Sequence, residues 1–252
     1  MSKTYEGMPI PQCWIDAKDV LEAGTDRVIF YGPPGTGKTF GGLTLGVTGG
    51  ESERLICTED MTTADVAGAF MPNVNGGFEF LAGSALRAWQ GNGITGSRLV
   101  IDEIDKAGGD VFAQMLAFTD TVDSASFTRP DNGQVVRPMP GFSVVMTSNI
   151  EDPNELPVAL KDRFPVAIEI NAPHPAALMS LPESLRQLAA TIVAGKPGQR
   201  ASLRSFYEFN KLSQSPEFTL ERAARMVFRQ MADSIIDALK IGTLTPDFSL
   251  TV

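Results

Sequence analysis

One short segment of the chain carries residue types suited to binding a polyphosphate. Residues 32–39 read Gly-Pro-Pro-Gly-Thr-Gly-Lys-Thr and follow the apolar run Val28-Ile29-Phe30-Tyr31. They match the pattern G-x-x-x-x-G-K-[ST], in which glycines let the backbone curl so that successive N–H groups point at phosphate oxygens. The N-terminal end of the following helix adds a positive field. The pattern predicts a phosphate-binding loop formed by Gly32, Pro33, Pro34, Gly35, Thr36, Gly37, Lys38 and Thr39.

Two carboxylates follow a second apolar run, Leu99-Val100-Ile101, and are adjacent in the chain as Asp102 and Glu103. In a protein with a phosphate-binding loop, an acid at such a strand end belongs to the shell of a Mg²⁺ ion. We therefore assign Asp102 and the Thr39 hydroxyl to the metal, and Lys38 to the β- and γ-phosphates. Glu103 is then placed to accept a proton from an attacking water molecule as a general base.

A third apolar strand, residues 142–147, ends in Ser148-Asn149. The amide of Asn149 is suited to orienting a water molecule between Glu103 and the terminal phosphate, although asparagine is also common at strand ends for purely local reasons. Asp105 is interpreted as a structural acid or as the N-cap of the next helix.

The elements that must position these residues alternate between strand-like and helix-like segments. Most of the apolar runs are continuous, as expected of parallel strands that are buried on both faces. Strands that alternate with helices predict an α/β fold with a covered parallel sheet. The five runs are Val28–Tyr31, Leu55–Thr58, Leu99–Ile101, Val144–Thr147 and Val166–Ile170.

The pattern changes after Ile170. The segment 171–175 contains two prolines around a single histidine, which restricts the backbone and predicts a break. Beyond it, helical segments are expected at about 176–194, 202–212 and 220–240. We therefore expect a nucleotide-binding α/β domain over residues 1–172 and a small helical lid domain over residues 173–252.

Composition and charge limit the classes of function. The net charge is −9, with 12 basic and 23 acidic side chains in residues 1–172 and 9 and 7 in residues 173–252. Because a sequence-independent grip on nucleic acid comes from lysine and arginine, this balance argues against nucleic acid as a partner. No apolar run reaches the ~18 residues of a membrane helix, and no secretory signal is present. With two distant cysteines, these features predict a cytoplasmic protein.

The combination of Gly32–Thr39, Leu99–Asp105 and Met146–Asn149, extended by Leu160–Phe164 and Ser202–Arg204, resembles an AAA+ ATPase of the MoxR-like, dynein-related branch. The resemblance covers nearly the entire chain. It implies a five-stranded sheet of order 5-1-4-3-2 and self-association into a hexameric ring. It also implies ATP bound with Mg²⁺ between neighbouring subunits, while a helical assembly remains an alternative to the closed ring.

By the same resemblance Asn149 is the first sensor, Arg163 is the finger that reaches a neighbour's nucleotide, and Arg204 is the second sensor on the lid. An arginine supplied by a neighbour stabilises charge on the transferred phosphoryl group and makes hydrolysis depend on assembly. The alternatives are a surface ion pair of Arg163 with Asp162 or Glu155, and an ordinary helix-face charge for Arg204. Whether Arg204 acts on its own or the neighbouring nucleotide is left open.

Two further segments fit this branch as inserted hairpins. Residues 70–80 contain the turn Asn75-Gly76-Gly77, and residues 126–140 contain the turn Asp131-Asn132-Gly133. In related rings such hairpins line a pore or contact a partner, and the alternative is that they only pack on the body.

The function expected from the sequence is Mg²⁺-dependent ATP hydrolysis that remodels or activates a partner protein. The chain lacks the D-x-S-x-S loop of a von Willebrand A domain, so a partner of that kind would be a separate protein. The alternatives are a nucleic-acid motor or loader, and a nucleotide-gated scaffold or filament with slow hydrolysis.

Overall fold

The computed structural model describes residues 3–47, 51–196 and 198–244. Pro197 and residues 245–252, which the sequence places in the lid, lie outside the described residues. The strands are β1 Thr4–Tyr5, β2 Met8–Pro9, β3 Arg27–Tyr31, β4 Ser52–Ile56, β5 Gly68–Pro72, β6 Phe78–Ala82, β7 Arg98–Asp102, β8 Phe127–Thr128, β9 Val135–Val136, β10 Ser143–Thr147 and β11 Val166–Glu169. The α-helices are α1 Gln12–Glu22, α2 Lys38–Thr44, α3 Thr63–Ala67, α4 Ser84–Gln90, α5 Gly109–Phe118, α6 Val158–Arg163, α7 Pro175–Leu178, α8 Glu183–Val193, α9 Leu203–Ser213, α10 Leu220–Phe228 and α11 Ala232–Leu244.

The described chain forms two compact units. The sheet unit comprises residues 16–33 and 38–169. The helical unit comprises residues 3–15, 34–37 and the described part of 170–244, so the middle of the predicted phosphate loop belongs to it.

The centre of the sheet unit is a five-stranded parallel sheet of order β11-β3-β10-β7-β4. Numbered along the chain, this is the order 5-1-4-3-2, which confirms the predicted fold class. In β10, Met146 lies opposite Ile29 of β3 and Ile101 of β7. These three side chains are fully buried, because helices cover both faces of the central strands.

The edge strand β4 differs from its predicted position. It runs over Ser52–Ile56, three residues earlier than the apolar segment that suggested a strand at Leu55–Thr58. Only Leu55 is buried, while Glu53 pairs with Arg87 at 2.8 Å and Arg54 with Asp102. The charged side chains of this strand pair with neighbouring elements. The strand therefore contains no continuous apolar run that would mark it in the sequence.

Both predicted hairpins form within the sheet unit. Strands β5 and β6 are antiparallel and place Phe70 opposite Phe80, and β8 and β9 are antiparallel around the 131–133 turn. Arg129 lies 5.4 Å from the centroid of the Phe80 ring, so the two hairpins contact each other.

The helical unit packs around an aromatic core in which Phe206 and Phe209 both contact Phe228, with ring centroids 5.0 and 5.2 Å apart. Two of the predicted helices are each divided. Pro182 precedes α8 and separates it from α7, because proline restricts the residue before it. Arg229 adopts φ 50° and ends α10 before α11 begins. Within the described residues, none of the helices combines the length and apolar character needed to cross a bilayer.

Candidate nucleotide site

The sheet order brings three strand ends together at one edge. Strand β10 lies between β3 and β7, so Thr147 and the residues after it lie between the phosphate loop and Asp102. The carboxyl edge of an open parallel sheet is the usual location of a ligand site. This topology explains why motifs that are distant in the chain can act on one ligand.

The loop backbone requires glycine at several positions. Gly32, Gly35 and Gly37 have φ of 119°, 79° and 103°, values that favour glycine. Gly35 is also confined by its surroundings in the helical unit, since a Cβ atom there would lie 2.5 Å from the Cβ of Ser202. Ser202 caps α9 by accepting a hydrogen bond from the Ser205 N–H. Gly35 therefore lies, within the helical unit, against the beginning of the helix that carries Arg204.

Lys38 begins α2 and is buried, with 5% of its surface exposed. Its Nζ donates to the carbonyl oxygens of Gly32 and Pro33 at 2.7 and 2.8 Å and to Oδ1 of Asn149 at 3.0 Å. Burial lowers the pKa of Lys38 to about 8, although the nearby carboxylates, led by Asp102, oppose this shift. A poorly solvated ammonium group held by two carbonyl oxygens at the start of the loop is suited to binding a polyanion.

Asp102 is the most heavily hydrogen-bonded acid of the site. Its Oδ1 accepts from the Thr39 hydroxyl at 2.7 Å and from the Thr147 hydroxyl at 2.5 Å, and its Oδ2 accepts from the guanidinium of Arg54. Burial raises the pKa of Asp102, but the hydrogen bonds from Thr147, Arg54 and Thr39 outweigh burial and hold the pKa below its ordinary value. Asp102 is therefore ionised and oriented.

Glu103 and Asn149 lie beside this acid. Asn149 Nδ2 donates to Oε1 of Glu103 at 3.2 Å, and Lys106 Nζ lies 2.5 Å from Oε2. Glu103 has φ 58° and ψ 48°, which is uncommon for a residue with a side chain and is typical of functional sites. Hydrogen bonding to Glu103 raises the pKa of Lys106. Glu103 is thus held by both of its carboxylate oxygens.

The donor set fits magnesium. Among the described residues there is no group of three or more His, Cys, Asp or Glu side chains able to hold a metal. Mg²⁺ bound together with phosphates needs only one or two protein oxygens, because phosphate and water supply the others. Thr39 and Asp102, which are in direct contact, provide such a pair.

The two arginines belong to different units: Arg163 lies in the sheet unit and Arg204 in the helical unit. Arg163 ends α6, and its side chain contacts the Ala159 carbonyl at 3.5 Å and Asp120 at 3.9 Å rather than Asp162 or Glu155. Its Nε atom is buried and has no hydrogen-bond partner among the described residues. Arg204 is exposed in the first turn of α9.

Asp105 accepts from the Ser148 hydroxyl at 2.6 Å and is not an N-cap, because Gly108 occupies that position of α5.

Three site residues were not assigned a role from the sequence: Arg54, Lys106 and Thr147. Thr147 is 1% exposed, and its hydroxyl both donates to Asp102 and accepts from the Glu103 N–H at 3.2 Å. Its position as the last residue of the apolar run Val144–Thr147, directly before Ser148-Asn149, could have identified it. No local pattern marks Arg54, because its partner is on another strand.

The parallel sheet, the glycine loop and the paired Thr39 and Asp102 define an ATPase with a phosphate-binding loop. The family model for the AAA domain (dynein-related subfamily) matches residues 27–164, which is more than half of the chain. The chain therefore belongs to this family of AAA+ ATPases, as the sequence motifs indicated.

Solved structures share the fold at low sequence identity. A crystal structure of a proposed ATPase from Cytophaga hutchinsonii aligns with a TM-score of 0.50 and 19% identity, covering 92% of this chain and 68% of that one. NtrX from Brucella abortus aligns with a TM-score of 0.56 and 13% identity, covering 85% of this chain. This chain spans about half, 51%, of the NtrX chain. No curated protein matches the sequence at a significant level.

Proposed function

We propose that this chain is a MoxR-like, Mg²⁺-dependent ATPase that assembles with ATP at its subunit interfaces and uses hydrolysis to remodel or activate a partner protein. The observation that supports this most directly is the continuous set of contacts from Lys38 through Asn149 to Glu103. In this proposal, a phosphate-binding cation, a water-orienting amide and a carboxylate base are thereby held in contact with one another.

Each group has a distinct role in this proposal. The backbone of Gly32–Thr39 and the ammonium of Lys38 bind the phosphates. Thr39 and Asp102 would hold Mg²⁺, which when bound supplies charge neutralisation for the phosphate oxygens. Asn149 orients the attacking water molecule, and Glu103 accepts its proton. Lys106 limits the motion of Glu103 through its 2.5 Å contact.

The role of Arg163 as a finger in a neighbouring subunit is supported by its loose attachment. Among the described residues it makes a single ion pair, with Asp120 at 3.9 Å, and 30% of its side chain is exposed. A side chain with such weak internal contacts can be recruited by a phosphate from another copy of the chain. Arg204 is proposed as the second sensor, because its helix begins against Gly35 of the loop.

The two arginines of the second hairpin already have partners within the chain, and this favours a protein partner over nucleic acid. Arg129 pairs with Asp131 at 2.7 Å, and Arg137 donates to the carbonyl oxygen of Asp123 at 2.9 Å. Both are therefore already engaged within the hairpin region. A separate von Willebrand A domain protein is one candidate partner. We place the protein in the cytoplasm, which the free thiols of Cys13 and Cys57 support.

The proposed function is tested by pairing two site variants with two surface controls. Lys38→Ala should lose ATP binding in calorimetry, whereas Lys18→Ala, which removes an exposed lysine, should bind normally. Glu103→Gln should bind ATP but release phosphate at least about 100-fold more slowly, since a positioned base contributes about 10²–10⁴ in rate. Glu22→Gln is its control. Unchanged ATP affinity in Lys38→Ala would contradict the site assignment.

A further inference from the structure

A basic side chain occupies the side of Asp102 opposite its two hydroxyl partners. Thr39 and Thr147 both donate to Oδ1, while Arg54 donates to Oδ2. We propose that Arg54 is a counter-ion of the magnesium site: it neutralises the Asp102 carboxylate and competes with Mg²⁺ for that charge. This inference rests on the proposed function, because it takes Asp102 to be part of the metal shell.

The sheet register allows this contact. On β4, Ile56 lies opposite Asp102 and Arg54 lies opposite Val100, so Arg54 is two residues upstream on the adjacent strand. Residues two apart share a face and are separated by about 7 Å, which an arginine side chain can span. The guanidinium therefore approaches the carboxylate along the surface of the sheet.

The exposure of the two partners is unequal. The Arg54 side chain is 43% exposed, whereas that of Asp102 is 7% exposed. Arg54 can move into solvent without disturbing the core, but Asp102 cannot follow it. A partly exposed cation therefore covers a buried anion.

Electrostatics gives this arrangement a consequence for metal binding. Two cations that share one carboxylate repel each other, so Mg²⁺ must weaken or displace the Arg54 contact. Without the metal, Arg54 neutralises Asp102, whose negative charge would otherwise lie next to those of Glu103 and Asp105. The arginine therefore stabilises the metal-free site and raises the Mg²⁺ concentration that nucleotide binding requires.

The test measures binding of a fluorescent ATP analogue as Mg²⁺ is titrated. Arg54→Gln and Arg54→Met remove the charge. The matched control is Arg87→Gln, because Arg87 of α4 pairs with Glu53, the neighbour of Arg54 on β4. The neutral Arg54 variants should reach half-saturation at about threefold lower Mg²⁺, in line with a partly exposed ion pair. They should also unfold at a lower temperature in EDTA than the Arg87→Gln control.

The outcomes separate the two proposals. If the wild-type protein binds the analogue with Mg²⁺ but an Arg54 variant that folds shows an unchanged or higher half-saturating Mg²⁺, the role of Arg54 is overturned and the ATPase proposal stands. If the wild-type protein shows no Mg²⁺-dependent nucleotide binding, the proposed function fails and this inference fails with it.

Discussion

The side-chain amide of Asn149 connects Lys38 to Glu103. Its Oδ1 accepts from the Lys38 ammonium at 3.0 Å, and its Nδ2 donates to the Glu103 carboxylate at 3.2 Å. The three residues follow three different strands of one sheet: Lys38 comes after β3, Asn149 after β10 and Glu103 after β7. Strand β10 lies between the other two. The amide therefore holds the proposed phosphate-binding and proton-accepting groups in a defined relation.

Replacement of Asn149 by alanine should mainly slow the chemical step. We expect phosphate release to fall about 10- to 100-fold, because the attacking water molecule loses its orienting group, while ATP affinity changes far less. Steady-state phosphate release and calorimetric binding measure the two effects separately. A variant that loses affinity and keeps its turnover rate would show that Asn149 serves binding instead.

Nucleotide affinity should depend on pH through Lys38. Burial lowers the pKa of Lys38 from its ordinary value of 10.5 to about 8, and only the charged amine attracts phosphate. Above pH 8 the protein must therefore take up a proton when ATP binds, so affinity should fall by up to about tenfold for each pH unit. Calorimetry at pH 8.5 in buffers of different ionisation enthalpy should detect this proton uptake.

The same pKa shift has a consequence for the nucleotide-free protein. Between pH 8 and 10.5 the unfolded chain binds more protons at Lys38 than the folded chain does, so this residue's contribution to stability should increase with pH over that window. The Lys38→Ala variant lacks this dependence and is the control. For the preceding prediction, a nucleotide affinity that stays constant from pH 7 to 10 would count against a role for the charge of Lys38.

The hydroxyl group of Thr147 should be important for stability. Thr147→Val preserves the shape but removes a buried donor to Asp102 and the acceptor of the Glu103 N–H. Asp102 keeps its bonds from Thr39 and Arg54, but the Glu103 N–H loses its Thr147 acceptor, and such a loss costs about 1–3 kcal/mol in the free energy of unfolding, which urea denaturation can measure. Thr147→Ser retains the hydroxyl and should lose less, and equal stability of the valine variant would refute this account.

The proposed finger can be tested by mixing two inactive proteins. Arg163→Ala should retain its own nucleotide site, and Lys38→Ala should retain its arginine. If Arg163 acts across an interface, mixed assemblies should recover part of the phosphate release rate, since such arginines accelerate hydrolysis by a factor of about 10³–10⁵. Light scattering verifies co-assembly, and a mixture that assembles yet stays inactive argues for a role within one subunit.

Much of this protein could be predicted from local patterns. The glycine loop, the acids after Ile101 and the amide after Ser148 are each marked by short segments, because strand ends and tight turns require particular residue types close together. The sheet order 5-1-4-3-2 followed from the family resemblance. The divisions at Pro182 and Arg229 were missed, because the apolar periodicity continues across both of them.

The sequence by itself determined the groups available for the proposed chemistry: a glycine-rich loop with a lysine, two adjacent carboxylates at a strand end and an amide at the next strand end. Only the tertiary structure decided which partners hold these groups. Arg54 is 48 residues from Asp102 in the chain, and Thr147 is 45 residues from it. Such pairs depend on which strands are neighbours and on their register, and no local pattern encodes either, because both arise from packing of the whole sheet.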